Sequence, residues 1–473
     1  MIELTTFRKN KVDLADYDHS KDVANRLLMA QFSSQDVEIL QEILYSSLTI
    51  DVAALANTLS IDAKALSPTL ERLSQTGLFK VAGKEIRVDK EMRKYYELQL
   101  MRFEEDFKPG MDFIQGLLRG VPIHVLPNWY AIPRTSNNIF DSIVEKYLVT
   151  PLSFQRYLME LQLSDPIENG IMQTVFQAPL HEMPASHFMQ KYNLSQQQFE
   201  EHMLYLELNF VCCVRYKKEG AHWKEIVTPF YEWAQYLGFL RNSLPHSIAD
   251  EEKIARKKSS DFAFVEELSA LLELAAKQPL ILQRSSEDIV TLAEKSFKVL
   301  KKQCPEISQA DLHHLISKLI HIEFAEEKGD KLSTTDEGSE WLSKSMFERA
   351  IAFYRHPLNH LTREDLPREL VNEKVIREAE KSLNRVLKLG WVYMDDFLKG
   401  LFIPLGEHQA IQLKKAGRCW KYQLPNYTEE ELELFKAVIT GSLFEAGITA
   451  LGTHDERDCF AVTALGQELF GNE

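Results

Sequence analysis

The sequence predicts a mainly α chain with small β-hairpins, an α+β class built from tandem winged helix-turn-helix units. Three observations predict it. A polar helix cap stands after one apolar residue and four places before another at Ile61-Asp62 with Leu66, Leu194-Ser195 with Phe199, Ile307-Ser308 with Leu312, and Tyr427-Thr428 with Leu432. In each, the cap oxygen takes an orphan backbone N–H while the flanking apolar residues form a staple. Gln198, Asp311 and Glu431 complete capping boxes three residues on, whereas Ala65 leaves the first cap without one. The third observation is that a turn-bearing alternating segment follows the capped helix in the first three copies.

Residues 1–30 read as an N-terminal arm and 31–100 as the first copy. There Val37, Leu40 and Leu44 share a helix face, Leu48-Thr49-Ile50 reads as a short strand, and Val52 to Leu59 as a second helix. Leu66, Leu70 and Leu73 form one stripe of the capped helix, with Gly77 as its C-cap. Pro68 falls inside this helix and should kink it unless the helix begins at Ser67. Phe79 and Val81, then Ile86 and Val88, alternate around Gly83-Lys84 as a hairpin.

Residues 101–150 carry Pro109, Pro122, Pro127 and Pro133, which predicts an irregular bridge. The second copy, 151–243, places Phe199, Met203 and Leu206 on its stripe, with a hairpin turning at Lys217-Lys218-Glu219-Gly220. The charge-rich, apolar-poor segment 244–260 reads as a flexible linker. The third copy, 261–345, runs from Phe264–Leu274 through Leu280-Ile281-Leu282 to a stripe of Leu312, Ile316 and Leu319, with a hairpin around Lys328-Gly329. The fourth lies within 346–473, where Leu432, Phe435 and Ile439 line the stripe and Lys436 takes an expected apolar place. Thr335 to Leu342 and Thr463 to Phe470 both read Thr-x-x-Gly-x-Glu followed by two apolar residues.

From Leu280 onward the chain resembles the non-motor, helicase-associated region beside XPB-type DNA repair helicases. The matching residues are Leu332 to Leu342, Gly390 to Leu398, and Leu443 to Ile448 with Phe460 to Gly466. The resemblance covers a little under half of the chain, and its motifs are structural. It implies a docking and DNA-proximal module in DNA repair or transcription, and nothing catalytic. No motor accompanies it, because Gly83-Lys84 is followed by Glu85 and lacks the spacing of a phosphate-cradling loop.

The chain has 473 residues, with 55 Lys and Arg against 70 Asp and Glu, a formal charge of -15 that repels polyanions at long range. Nucleic-acid contact therefore requires a local basic patch. The capped helices pass that test unequally. The fourth opens with Glu429, Glu430 and Glu431, followed by Glu433, which suits a helix dipole but is repelled by a duplex, and is read instead as a partner-docking face. The second carries Glu200, Glu201 and Glu207 with no cation on the helix; the third mixes His313, His314, Lys318 and His321 with Asp311 and Glu323. Only the first is plausible, with Lys64 and Arg72 on the helix and Lys80, Lys84 and Arg87 on the hairpin. Two other basic runs, Lys295 with Lys298, Lys301 and Lys302, and Lys414 with Lys415, Arg418 and Lys421, read more simply as solvated helix faces.

The histidines, including His181 and His187, show no His-Glu-x-x-His order, and Asp395-Asp396 reads as a helix start. Five scattered cysteines suit neither a disulfide framework nor paired zinc ligands, and no cofactor or metal is expected. Met1-Ile2-Glu3-Leu4 lacks a signal-peptide pattern and no apolar run has bilayer length, so a cytoplasmic location without membrane association is expected. The leading expectation is a non-enzymatic interaction scaffold docking a helicase- or polymerase-type protein. The rival is a DNA-binding regulator acting through the first copy, and an enzyme of unrecognised type stands third.

Overall fold

The computed structural model describes residues 12–133, 138–161, 163, 165–284, 289–361, 363, 365–406, 410–417 and 419–471. The fold is mixed α+β, helix-rich, with five small antiparallel sheets among the described residues. It divides into a first body, Met1–Phe239 with Ile411–Gln423, and a second, Leu240–Ala410 with Leu424–Glu473.

One element order recurs in both bodies: helix, short strand, helix, capped helix, two-stranded hairpin. In the first body it runs Ser34–Tyr45, Thr49–Asp51, Val52–Leu59, Ala63–Leu73, Phe79–Ala82 and Glu85–Val88. It runs again as Pro166–Gln177, Met183–Pro184, Ala185–Tyr192, Gln196–Leu208, Cys212–Glu219 and His222–Pro229. In the second body it runs Ala263–Lys277, Leu280–Arg284, Glu294–Gln303, Gln309–His321, Ala325–Lys328 and Lys331–Thr334, with Val290–Leu292 as an extra strand. The last passage is Glu373–Glu380, Val392–Tyr393, Met394–Lys399, Glu429–Thr440, Thr449–His454 and Arg457–Val462. In the four sheets these passages build, the hairpin's second strand lies between its first strand and the short early strand.

Local chemistry accounts for this recurrence. Ser195 with Gln198, Ser308 with Asp311 and Thr428 with Glu431 form capping boxes, while Asp62 caps alone through Lys64 N–H. After each capped helix one residue, Gly77, Phe210, Glu323 or Gly447, takes a left-handed φ between 58° and 74° and turns the chain into the hairpin. The twin Thr-x-x-Gly segments take the same role. Thr335 and Thr463 cap short helices through Gly338 and Gly466 N–H, and their hydroxyls donate to Glu323 O at 2.7 Å and Gly447 O at 2.6 Å.

Pro68 does not delay its helix, which begins at Ala63 and continues to Leu73. The carbonyl it deprives of a partner belongs to exposed Lys64, where water can bond it. The second hairpin is longer than expected: Lys217 to Glu219 remain in the strand, and the turn is Gly220-Ala221.

Three boundary expectations change. Segment 101–150 is helical rather than irregular, with Met111–Leu118, Leu126–Trp129 and Ile139–Ile143, because Pro109 and Pro127 sit at helix starts. Met111, Ile114, Trp129 and Leu148 there are fully buried. Segment 244–260 is tied down rather than free: Ile248 N–H bonds Trp391 O at 2.8 Å, and Ala255–Arg256 adds a strand to Thr449–His454. Its few apolar residues, Ile248 and Ile254, suffice because a sheet edge takes its backbone. Finally, hairpin Gln412–Ala416 with Cys419–Gln423, inserted before the fourth capped helix, belongs to the first body, where Leu413 N–H bonds Val149 O at 2.7 Å.

The copies are not beads on a string. One buried cluster joins the first two, running from Leu40 and Leu66 to Phe199 and Val214, and Phe103 stacks on Tyr216 at 4.1 Å. Another joins the last two, from Leu271 and Leu312 to Phe435 and Phe460.

Candidate interaction surfaces

The first three capped helices bury their predicted stripes, the fourth buries Phe435 and Ile439 while Leu432 is only partly buried, and the four differ in what meets their other faces. Leu66, Leu70 and Leu73 are each 1% exposed, while Lys64, Ala65, Ser67, Pro68, Glu71 and Arg72 on the same helix face solvent. Arg72, half-exposed, ion-pairs with buried Asp36. On the hairpin, Lys80 and Arg87 are direct cross-strand neighbours, Glu85 lies 3.5 Å from Arg87, and Lys84 occupies the exposed turn. The fold therefore assembles Lys80, Arg87 and Lys84 on one exposed hairpin, and diverts Arg72 to a structural bond.

The second capped helix is covered. Glu200 and Glu207, seemingly without cations, are 1% and 0% exposed and meet two buried arginines. Arg102 holds Glu207 in a bidentate pair at 2.7 and 2.8 Å and donates to Gln99 and to Val214 O. Arg26, from helix Ser20–Met29, bonds Glu207 and reaches Glu200 at 3.4 Å. Val214 N–H donates to Glu207 at 3.0 Å, which fills that carboxylate's remaining capacity. Burial by itself raises the Glu207 carboxyl, but Arg102 and Arg26 outweigh it and hold it down to about 2. These cations lie 105 and 181 residues away in sequence, beyond any local pattern.

Two neighbouring carboxyls behave oppositely. Burial, with the Glu200 charge beside it, pushes Glu225 up to about 8, and Gln196 bridges the two at 3.0 and 2.9 Å. Burial pushes Glu232 up to about 7 although Met111 N–H donates to it at 3.1 Å. Both hold protons that an unfolded chain releases near 4.5. The folded state thus binds more protons between those values, and stability from these groups falls as pH rises, by about 1.4 kcal/mol per group per unit. Glu207 acts in reverse: its contribution is present above 4.5 and disappears as pH falls through about 2. The urea midpoint of the first body is expected to drop from pH 5 to pH 8, with Glu225→Gln and Glu232→Gln each flattening the decline. An unchanged slope in both variants would contradict the assignment.

The third capped helix is buried on two sides. Beyond Leu312, Ile316 and Leu319, Leu315 is also fully buried. His314 and Lys318 contact Glu445 at 2.7 and 3.2 Å, and Lys318 donates to Asn359. Burial opposes ionisation of Glu445, and the hydrogen bond from His314 and the Lys318 charge still hold it below the usual carboxylate range. On the fourth helix Leu434, Phe435, Val438 and Ile439 are buried. Glu431 accepts Thr428 N–H at 2.8 Å as a capping residue and Glu433 accepts from Arg363 at 3.1 Å, which leaves Glu429 and Glu430 as the exposed acidic pair.

Of the other basic runs, Lys298 pairs with Glu294 at 2.7 Å, and Arg418 lies outside the described residues. Among the described residues one group could offer three ligand atoms to a metal: Asp165, Glu168 and His202, with these atoms within 4.8 Å of one another. Asp165 caps Ile167 N–H, and His202 contacts Glu168 at 3.2 Å, whose carboxylate raises the imidazole. The geometry is that of an ion pair at a helix start, which the sequence hinted at only through Asp165-Pro166. Comparison with family models, with curated proteins and with solved structures gives no match to this chain.

Proposed function

We propose that the chain is a non-enzymatic scaffold of four winged helix-turn-helix copies that docks a helicase- or polymerase-type protein within a DNA repair or transcription machine. One observation carries this reading. The helix that enters the major groove in a DNA-reading winged helix is covered by protein in the second copy, commits its one lysine, Lys318, to Glu445 in the third, and begins with exposed Glu429 and Glu430 in the fourth. Helices so used serve protein contacts. A partner is then met through the exposed acidic end of the fourth helix, and the helicase-associated resemblance supports the setting. No described helix is long and apolar enough to cross a membrane.

Cross-linking and affinity capture with the full chain are expected to recover an ATP-dependent nucleic-acid enzyme. The double variant Glu429→Lys, Glu430→Lys should reduce recovery about tenfold, a loss of about 1.4 kcal/mol. No such enzyme, or recovery indifferent to the charge reversal, would refute the reading.

A second reading is favoured by the open outer face of the first capped helix beside Lys80, Lys84 and Arg87. This copy would contact duplex DNA as a regulator. Duplex affinity should then fall with salt, and alanine at those three cations should lessen the log–log slope by about 2.7.

A further inference from the structure

The first strand of each hairpin lies toward a sheet edge, where outward N–H and C=O groups can accept another strand. Counting four residues past the left-handed turn gives Val81, Val214, Glu327 and Leu451 as equivalent positions in the four copies. In two of them the outward backbone is satisfied from within the chain. Val214 gives its N–H to Glu207 at 3.0 Å and accepts at its C=O from Arg102 at 2.7 Å. Leu451 O accepts Lys257 N–H at 2.8 Å, at the end of the added strand Ala255–Arg256. In the third copy the edge carries Glu326, Glu327 and Lys328, the charged dressing that keeps edges apart, and Arg284 occupies Glu327 at 2.7 Å.

The first copy differs. Val88 N–H bonds back to Leu48 O, away from Phe79–Ala82, so the Phe79–Val88 pair is not hydrogen-bonded across the hairpin. By alternation the Val81–Ile86 pair is not either, and the Val81 N–H and C=O point off the sheet. The Val81 side chain is 39% exposed. On the opposite face Lys80 stands directly across from Arg87, whose charge Glu85 meets at 3.5 Å, so among the described residues Lys80 is the cation of that pair with no carboxylate beside it.

We propose that the edge Phe79–Ala82 takes an extended segment of a protein partner as a fourth strand, with an apolar side chain beside Val81 and a carboxylate beside Lys80. The occupant is therefore an extended segment alternating acidic and apolar residues. This rests on the scaffold reading and names a mode of docking for it, with the Ala255–Arg256 strand as the chain's own example.

The test uses the full chain and a fluorescein-labelled peptide of roughly eight alternating Glu and Val residues, followed by anisotropy at low salt. Saturable binding is expected, weakened about tenfold by Val81→Pro, which removes one outward donor and no ladder bond, and about tenfold by Lys80→Glu. Because proline can disturb folding, a peptide N-methylated at alternate amides on one edge is tested on the unaltered chain and should also lose about tenfold. Absence of saturable binding, or equal binding of the methylated peptide, overturns the proposal. So does a DNA duplex that binds this hairpin with Val81→Pro indifferent while the peptide does not bind. A chain that captures its partner enzyme yet refuses the peptide overturns this edge and leaves the scaffold standing.

Discussion

Glu207→Ala is expected to destabilise the first body by about 3–5 kcal/mol, because removing one member of a buried ion network strands the others. The loss falls on Arg26 and Arg102, 3% and 1% exposed, and on Val214 N–H, all of which bond that one carboxylate. Neither guanidinium can shed its charge to escape, and both are buried. Urea unfolding with hydrogen exchange resolved along the chain would show protection lost across residues 12–239, with the second body unchanged. Glu207→Gln keeps the shape and loses the charge, so it should retain part of the stability. A loss below about 1 kcal/mol for the alanine variant would mean that both arginines find other acceptors.

Gly338→Ala and Gly466→Ala are each expected to destabilise the second body by about 3 kcal/mol, the upper range for overpacking, since backbone must move to make room. A Cβ on Gly338 would stand 2.1 Å from Phe324 O, and one on Gly466 2.5 Å from Ile448 O and 2.6 Å from Val462 Cγ1. Both glycines sit where a capped helix leaves the hairpin and crosses the residue that entered it, at Thr335 N–H to Phe324 O and Thr463 N–H to Ile448 O. Gly329→Ala is the control: nothing lies within 4 Å there, so only its positive φ is penalised, by roughly 1 kcal/mol. Thermal unfolding that ranked all three equally would contradict the close-approach account.

Much of the local structure was legible because it rests on short-range chemistry. The four caps, their boxes, the stripes Leu66-Leu70-Leu73 and Leu312-Ile316-Leu319, and the Gly83 and Gly329 turns are all where the spacing places them. The misreadings have a common cause. Proline and charge density at 101–150 and 244–260 suggested irregular chain, yet Pro127 starts a helix and Ala255–Arg256 joins an existing sheet. A neighbour's edge or groove gave those segments structure, and a neighbour is not written in the segment. The candidate site fared likewise: Lys80, Lys84 and Arg87 could be placed on one hairpin, but that Asp36 would take Arg72 could not.

By itself the sequence determined where helices start, which face of each is apolar, and where the chain reverses. Those features depend on side chains within about four residues of one another, and the backbone geometry of helix and hairpin brings those side chains together. Tertiary structure alone decided which capped helix is open and which is covered. Glu200 and Glu207 look like an exposed acidic face until Arg26 and Arg102 arrive from distant segments, and a charge's role depends on what desolvates it and what pairs with it.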